Sequence, residues 1–512
     1  MTIKLGPILS FRGIINDRWC ISVLVACNKD DAAPPLDFST NETASTKVNA
    51  KSLGNYPAAA PTTQLWRFDL NVALGNSVLA VSYSVAGTSY QFLVPAKTSI
   101  PNMAYVSCNG FSSLKLMNSC KNPYALWTDL GVKHAKNSYH LLLMGGDQVY
   151  ADSMFDKIGA LHNWLALPMK EKVKRPYTAT MAKAVEKFYH ELYIERWSQL
   201  DMAAMFASIP TVMMWDDHDI FDGWGSYDPD LQKSEVYQGI FASARDCFSL
   251  YQMQLAAGEP HPSSITGQNA YSLGFNLGPT GILALDMRSE RTDSQVVSQT
   301  SWKAVYDWMG TFTAEKCKHF LFMSSIPVVH PDFSILEKAL SVFPGQQDLE
   351  DDLRDHWHSN PHKQERVRLI HRLLDFSSIK KCRVTLLSGD VHVGAVGVVQ
   401  STRSGADASS RTLTQLTSSG IVHPAPHGMV LFFLENVVGK EMSDDRDITS
   451  MMTEFPGTRN YYIGARNWLA LEPDSDERIW ANWHVEGEPH PFTKTIHPVA
   501  FKMQKAVAGE IN

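Results

Sequence analysis

The chain has 512 residues, 44% hydrophobic and 19% charged, enough to bury a full core and to build two or more domains. Its formal charge of -7 is spread along the sequence, and no Lys/Arg-rich run occurs of the kind that neutralises a phosphate backbone, which argues against a stable nucleic-acid complex. No run approaches the roughly 18 apolar residues of a transmembrane segment, and the seven cysteines, odd in number and without CxxC spacing, read as mostly free thiols of a reducing compartment.

In chain order, the opening apolar stretch is broken by charges and lacks a small-residue cleavage site, so "CISVLVAC", residues 20–27, is read as a folded strand and not as an export leader. Together with the cysteines this predicts a cytoplasmic protein. Residues 29–64 are polar, rich in Ala, Pro and Thr, and expected to be extended. Apolar alternation at Trp66, Phe68, Leu70, Val72 and Leu74, then at Leu79, Val81, Tyr83 and Val85 after the turn Gly75-Asn76-Ser77, predicts a hairpin with one buried face. "YQFLV", residues 90–94, adds a third strand. Residues 1–100 are therefore expected to form an N-terminal β domain of sandwich-like build.

From residue 101 to 512 short apolar strands alternate with helical segments, the pattern of an α/β layer structure. The strand candidates are "MAYVSC", "YHLLLM", "PTVMMW", "GILALD", "HFLFMSS" and "RVTLLSG". A helix is expected over residues 183–198, where Val185, Phe188, Tyr189, Leu192 and Trp197 share a face. Residues 346–365 are too polar for core and read as a loop or lid. "RNYYIGARNWLALE" and "RIWANWHVEG" alternate like strands and are expected to close the edge of the sheet.

Ligands of open α/β sheets bind outside the carboxyl ends of the strands, and four polar clusters fall there. "SCNG" places Cys108, "GGDQVYAD" places Asp147 and Tyr150, "WDDHDIFD" places Asp216, Asp217, His218, Asp219 and Asp222, and "SGDVHVG" places Asp390 and His392. Anionic and imidazole groups at four strand ends are most simply a metal centre. A carboxylate that bridges two ions gains from glycines before it, which let the backbone turn and leave room for substrate. Tyr150, three residues after Asp147, offers a hard phenolate ligand that suits iron(III), Fe3+.

"GDQVY" resembles the GDxxY motif of purple acid phosphatases, and the ordered set "SCNG", "GGDQVYAD", "WDDHD", "LDMRSER", "SGDVH" is similar to the alkaline phosphatase D (PhoD-like) family of metallophosphatases. "GPILSFRG" and "ARNWL" resemble that family's flanks, so the likeness covers most of the chain. The resemblance implies an α/β fold, a metallophosphatase αββα sandwich with an N-terminal β domain, and a phosphoric ester hydrolase in which a metal-bound hydroxide attacks a phosphomonoester or phosphodiester. It implies Fe3+ with a divalent partner, calcium (Ca2+) foremost, Zn2+ or Mn2+ as alternatives. Carried over, Cys108, Asp147 and Tyr150 would hold iron, with Asp147 bridging; Asp217 stands for the asparagine of Gly-Asn-His and His218 for its histidine. Asp390 and His392 occupy the place of a final Gly-His-x-His. Asp390 replaces a histidine there, which favours harder ions over a two-zinc site. His218 would protonate the leaving alkoxide.

Other readings stand beside these. Cys108 could be an ordinary buried thiol or pair with Cys120, Tyr150 a half-buried strand-end aromatic, and Asp147 a helix cap, although Asp152 is as well placed to cap. Asp216, Asp217, Asp219 and Asp222 cannot all be ligands. Arg288 and Arg291 suit bidentate contact with a substrate phosphate, and Arg288 the transition-state charge, or else a salt bridge to Asp286 or to the acidic loop. His330, His356 and His358 could line a channel or be solvated, and His423 and His427 lie in a proline-stiffened loop near the rim. A phospholipase or phosphodiesterase acting on larger lipid or polymer substrates, or a binding protein with a degenerate site, are the alternative functions.

Overall fold

Every one of the six apolar runs that end in polar motifs forms a strand, because each is short, continuous and bounded by residues that break it. The computed structural model describes residues 2–267, 270–330, 362–403, 408–436 and 439–499. Among these, two large sheets carry the fold. The first runs β23 (Phe492–Ile496), β22 (Ile479–Val485), β21 (Asn467–Pro473), β9 (Met103–Val106), β10 (Leu141–Gly145), β11 (Thr211–Met214), β1 (Ile3–Ile15), β2 (Arg18–Asn28), β6 (Thr63–Ala73) and β5 (Ala50–Tyr56). The second runs β12 (Leu273–Asn276), β13 (Thr280–Ala284), β14 (His319–Met323), β15 (Arg383–Ser388), β17 (Thr412–Thr417), β16 (Gly394–Ser401), β19 (Ile448–Thr453) and β18 (Glu441–Asp445), with β20 (Tyr462–Ile463) paired to β16.

Side-chain alternation sorts the second sheet into two faces. Ile282, Ala284, Leu321 and Met323 join one core cluster with Leu143, Met213 and Trp483 of the first sheet. Leu283, Phe320, Phe322 and Leu386 join another, with Trp302 of the helix Gln299–Gly310 and Leu369 and Leu373 of the helix Lys363–Lys380. Trp127 and Phe206, from the helices Ala125–Lys136 and Leu200–Ser208, lie in the first cluster. Mixed α/β layers built on two large sheets are the fold class expected from the sequence.

The first hundred residues do not stand apart from the rest. β1 pairs in parallel with β11 through Ser10 and Thr211, and the Thr211 hydroxyl donates to Leu9 O at 2.8 Å, so the first sheet runs across the boundary expected at residue 100. The expected hairpin is also divided. β6 pairs with β2 and β5 in the large sheet, while β7 (Leu79–Val85) pairs with β8 (Thr88–Val94) and β3 (Leu36–Thr40), which with β4 (Thr43–Lys47) make a separate four-stranded sheet. Alternation marks a buried face but does not choose the partner strand.

The expected helix is present as Ala179–Trp197, and the aromatic C-terminal segments supply β20 to β22. Most of the expected loop at 346–365, with His356 and His358, lies outside the described residues; its last residues open the helix Lys363–Lys380. No described helix is long and apolar enough to cross a membrane.

Candidate metal centre

Strand register gathers the polar motifs. Val106 pairs with Met144 and Gly145 with Met214, so the residues that follow β9, β10 and β11 emerge side by side. β15 and β17 deliver theirs from the second sheet, and the Val422 and His423 amides donate to Cys108 O across the two sheets at 3.3 and 3.1 Å. Gly146 must be a glycine: its φ is +108°, and a Cβ there would stand 2.8 Å from Asp216 Cβ. The site itself holds strained backbone, since Cys108 (φ +54°), Asp147 (+54°), Asp390 (+68°) and His392 (+53°) all occupy the left-handed region. Each costs of order 1 kcal/mol or more, tolerated where surrounding structure imposes it.

Asp147, Asp216, Asp217 and Asp390 each offer an oxygen within 4.8 Å of the others, and Asp147 and Asp217 form a second such group with His218. Among the described residues, Asp147 Oδ1 is buried without a hydrogen-bond partner, and so is His392 Nδ1. Burial, and then the charges of Asp216, Asp217 and Asp219, push the Asp147 carboxyl well above its usual range although His218 opposes them. Converging buried carboxylates of this kind suit a hard cation, which removes the repulsion, so the residues fit the implied metal pair. Cys108 Sγ and the Tyr150 hydroxyl lie 3.5 and 3.4 Å from Asp147 Oδ2, within reach of an ion held there.

The other aspartates divide by role. Asp219 accepts from the amides of Gln148, Val149 and Asp216 and from the Gln252 side chain, at 2.8–3.3 Å, and so fastens two strand-end loops together. Burial raises its pKa to about 7 against those donors. Asp152 does not cap a helix through its side chain; its Oδ2 faces His218 Nδ1 at 2.9 Å. Burial disfavours the imidazolium of His218, but Asp152 and Asp217 outweigh it and hold the pKa well above the ordinary histidine value.

Arg288 is fully buried, and its guanidinium bonds Asp216 through Nε, Trp224 O at 3.0 Å and Asp217 at 3.3 Å. The salt bridge that the sequence left open thus goes to Asp216 and Asp217; Asp286 instead accepts from Trp215 Nε1 and the Arg288 amide. A direct phosphate contact by Arg288 would require it to leave those partners. The Arg291 side chain is buried against Gly225, where a Cβ would meet it at 2.6 Å. His330 is buried and not solvated.

One histidine that the sequence places only near the rim lies in the centre itself. His423 stacks on His392 at 3.7 Å and on Tyr150 at 5.4 Å, and Tyr150 stacks on His218 at 4.2 Å, so four rings form a ladder through the centre. The available signal is a local repeat: Ser388-Gly-Asp-Val-His392 and Ser419-Gly-Ile-Val-His423 follow the adjacent parallel strands β15 and β17. Burial lowers the pKa of both histidines, that of His423 to about 4, and so favours the neutral form of each ring.

A two-sheet α/β sandwich with carboxylates and imidazoles converging at its strand ends has the architecture of a metallophosphatase. The profile of the PhoD related phosphatases matches residues 74–344 and 334–443, and the chain belongs to that family. It is 31% identical over 394 residues to the uncharacterized protein YGR266W of Saccharomyces cerevisiae, a match covering 65% of this chain and 56% of that one; the chain thus spans just over half the length of this relative. Among solved structures, PhoD superposes with a TM-score of 0.56 at 13% identity over 95% of this chain and 88% of the other. The purple acid phosphatase PPD1 from yellow lupin (Lupinus luteus) seeds superposes with a TM-score of 0.51 at 11% identity, over 96% and 74%. These likenesses establish the fold expected from the motifs.

Proposed function

We propose that this protein hydrolyses phosphate esters at the centre around Asp147, with Cys108, Asp147 and Tyr150 holding Fe3+ and Asp147, Asp217, Asp390 and His392 holding a divalent ion, Ca2+ foremost. The carrying observation is the convergence of Asp147, Asp216 and Asp217, all buried, with the half-buried Asp390, together with a buried Asp147 oxygen that no donor among the described residues satisfies. When bound, the ions supply Lewis acidity toward the phosphate and an activated water.

The protein's own side chains do the rest. His218 gives its proton to the departing alkoxide, and Asp152 on its Nδ1 orients the ring and stabilises the imidazolium, leaving Nε2 to face the reaction. Arg288 neutralises Asp216 and Asp217, so its part in the transition state is to fix their charge and position; Arg291 is kept as a candidate substrate contact.

Metal analysis of freshly purified protein, with initial rates on p-nitrophenyl phosphate and bis(p-nitrophenyl) phosphate, tests the reading. Stoichiometric metal and hydrolysis lost with chelator are expected. Metal-free protein without activity after reconstitution with Fe3+ and Ca2+, Mn2+ or Zn2+ would refute it, and the two rates distinguish monoester from diester preference.

A further inference from the structure

Tyr150 enters the centre from β10 of the first sheet and His392 from β15 of the second, so nothing in either sheet alone fixes one ring relative to the other. His423 stands between them, within 19° of parallel to Tyr150 and within 17° of parallel to His392. The His423 ring is itself held at both nitrogens. Pro424 O can only accept, so Nδ1 carries the proton and donates to it at 2.8 Å, which leaves Nε2 to accept from the Ser112 hydroxyl at 3.2 Å. Its backbone is held too, because the Val422 and His423 amides both donate to Cys108 O. The turn before it needs Gly420, whose φ is +74° and whose Cβ would fall 2.1 Å from His423 O.

We propose that His423 is a positioning residue that, clamped between the two sheets and stacked between Tyr150 and His392, sets the orientation of both rings toward the metal centre. It acts through the flat face of its ring rather than through a nitrogen, since both nitrogens have other partners. The proposal rests on the reading of Tyr150 and His392 as ligands. Supporting groups around metal ligands typically change metal affinity 10- to 100-fold when removed, and an aromatic ring of similar width keeps a stack that an aliphatic side chain does not.

The test compares His423→Leu, which fills the volume without a ring face, with His423→Phe, which keeps the face and loses both nitrogens. Calorimetric titration with Mn2+ gives the affinity of the divalent site, and the visible charge-transfer band of the iron-loaded protein reports the tyrosine. His423→Leu is expected to bind Mn2+ about 10- to 100-fold more weakly and to shift the band, with His423→Phe within about threefold of wild type and its band in place. If His423→Phe fails as badly as His423→Leu, the proposal is overturned and a ring nitrogen is the working group. Equal, wild-type behaviour of both also overturns it. Should His423→Leu not fold by circular dichroism, His423→Phe decides alone: a kept band and affinity support stacking, and their loss refutes it. Wild-type protein that binds neither ion refutes the ligand reading and the proposal with it, whereas a loaded wild type with unaffected variants refutes the proposal alone.

Discussion

His218 Nδ1 lies 2.9 Å from Asp152 Oδ2, and the same imidazole stacks on the ring of Tyr150 at 4.2 Å. The carboxylate favours the protonated ring, and the Asp222 amide holds the other Asp152 oxygen at 2.8 Å. His218→Ala is expected to slow hydrolysis of an alkyl phosphate roughly 100- to 10,000-fold, and of a nitrophenyl ester much less, because nitrophenolate leaves without a proton. Asp152→Asn removes the charge that raises the His218 pKa, so the alkaline limb of the alkyl-ester profile should move to lower pH. Equal losses on both esters with metal retained would leave His218 a phosphate-positioning group, and loss of metal would make it a ligand.

Asp147→Asn is expected to lose metal and activity together, because it removes the central charge of the carboxylate group and leaves an amide in a pocket built for a cation. Metal content by plasma emission and rates on an aryl phosphate check this. A variant keeping both would assign Asp147 a purely structural role.

The Tyr150 hydroxyl, 3.4 Å from Asp147 Oδ2, is buried, and without a cation burial drives its pKa well above the phenol range. Bound Fe3+ should reverse this and colour concentrated protein by tyrosinate charge transfer, with the band absent in Tyr150→Phe. A colourless, fully active protein holding stoichiometric zinc would rule out the iron assignment.

Away from the site, Glu259 accepts two bonds from Arg67 and one from Lys51, each 2.9 Å long. Burial pushes its carboxyl up, but these donors and the Ala256 amide outweigh it and lower the pKa to about 2. Because the folded value lies below the unfolded one, the stabilisation is present above about pH 4.5 and is lost as pH falls toward 2. After discounting for solvent, Glu259→Gln should cost about 1–2 kcal/mol at pH 7. Urea melts should show that gap narrowing from pH 5 to pH 3; a constant gap would mean that the charge contributes nothing.

Arg366 and Asp444 form an ion pair whose side chains are both fully buried, joining the helix Lys363–Lys380 to β18. Burial lowers the Arg366 pKa, and Asp444 opposes that shift. Asp444→Ala leaves an uncompensated guanidinium and should destabilise the fold by about 3–5 kcal/mol, while Arg366→Met with Asp444→Leu should recover much of it. Denaturant midpoints measure both, and a loss below about 1 kcal/mol in the single variant would show that water reaches the pair.

The local chemistry of this protein was legible in its sequence because it is written in local patterns. β9, β10, β11 and β15 are continuous apolar runs that stop at "SCNG", "GGDQVYAD", "WDDHD" and "SGDVH", so strand and polar end can be read together. The division of Asp219 from the cluster, the pairing of His218 with Asp152, and the locking of Arg288 on Asp216 and Asp217 were not legible, since each depends on loops meeting across 66 to 72 residues of chain. The same limit separated β6 from β7: alternation specifies which side of a strand is buried, whereas the neighbour is chosen by register over the whole sheet. His423 is the sharpest case. Its repeat of the "SGDVH" spacing is local, but only the packing of two sheets, which lays its loop against Cys108 and its ring between Tyr150 and His392, brings it into the centre.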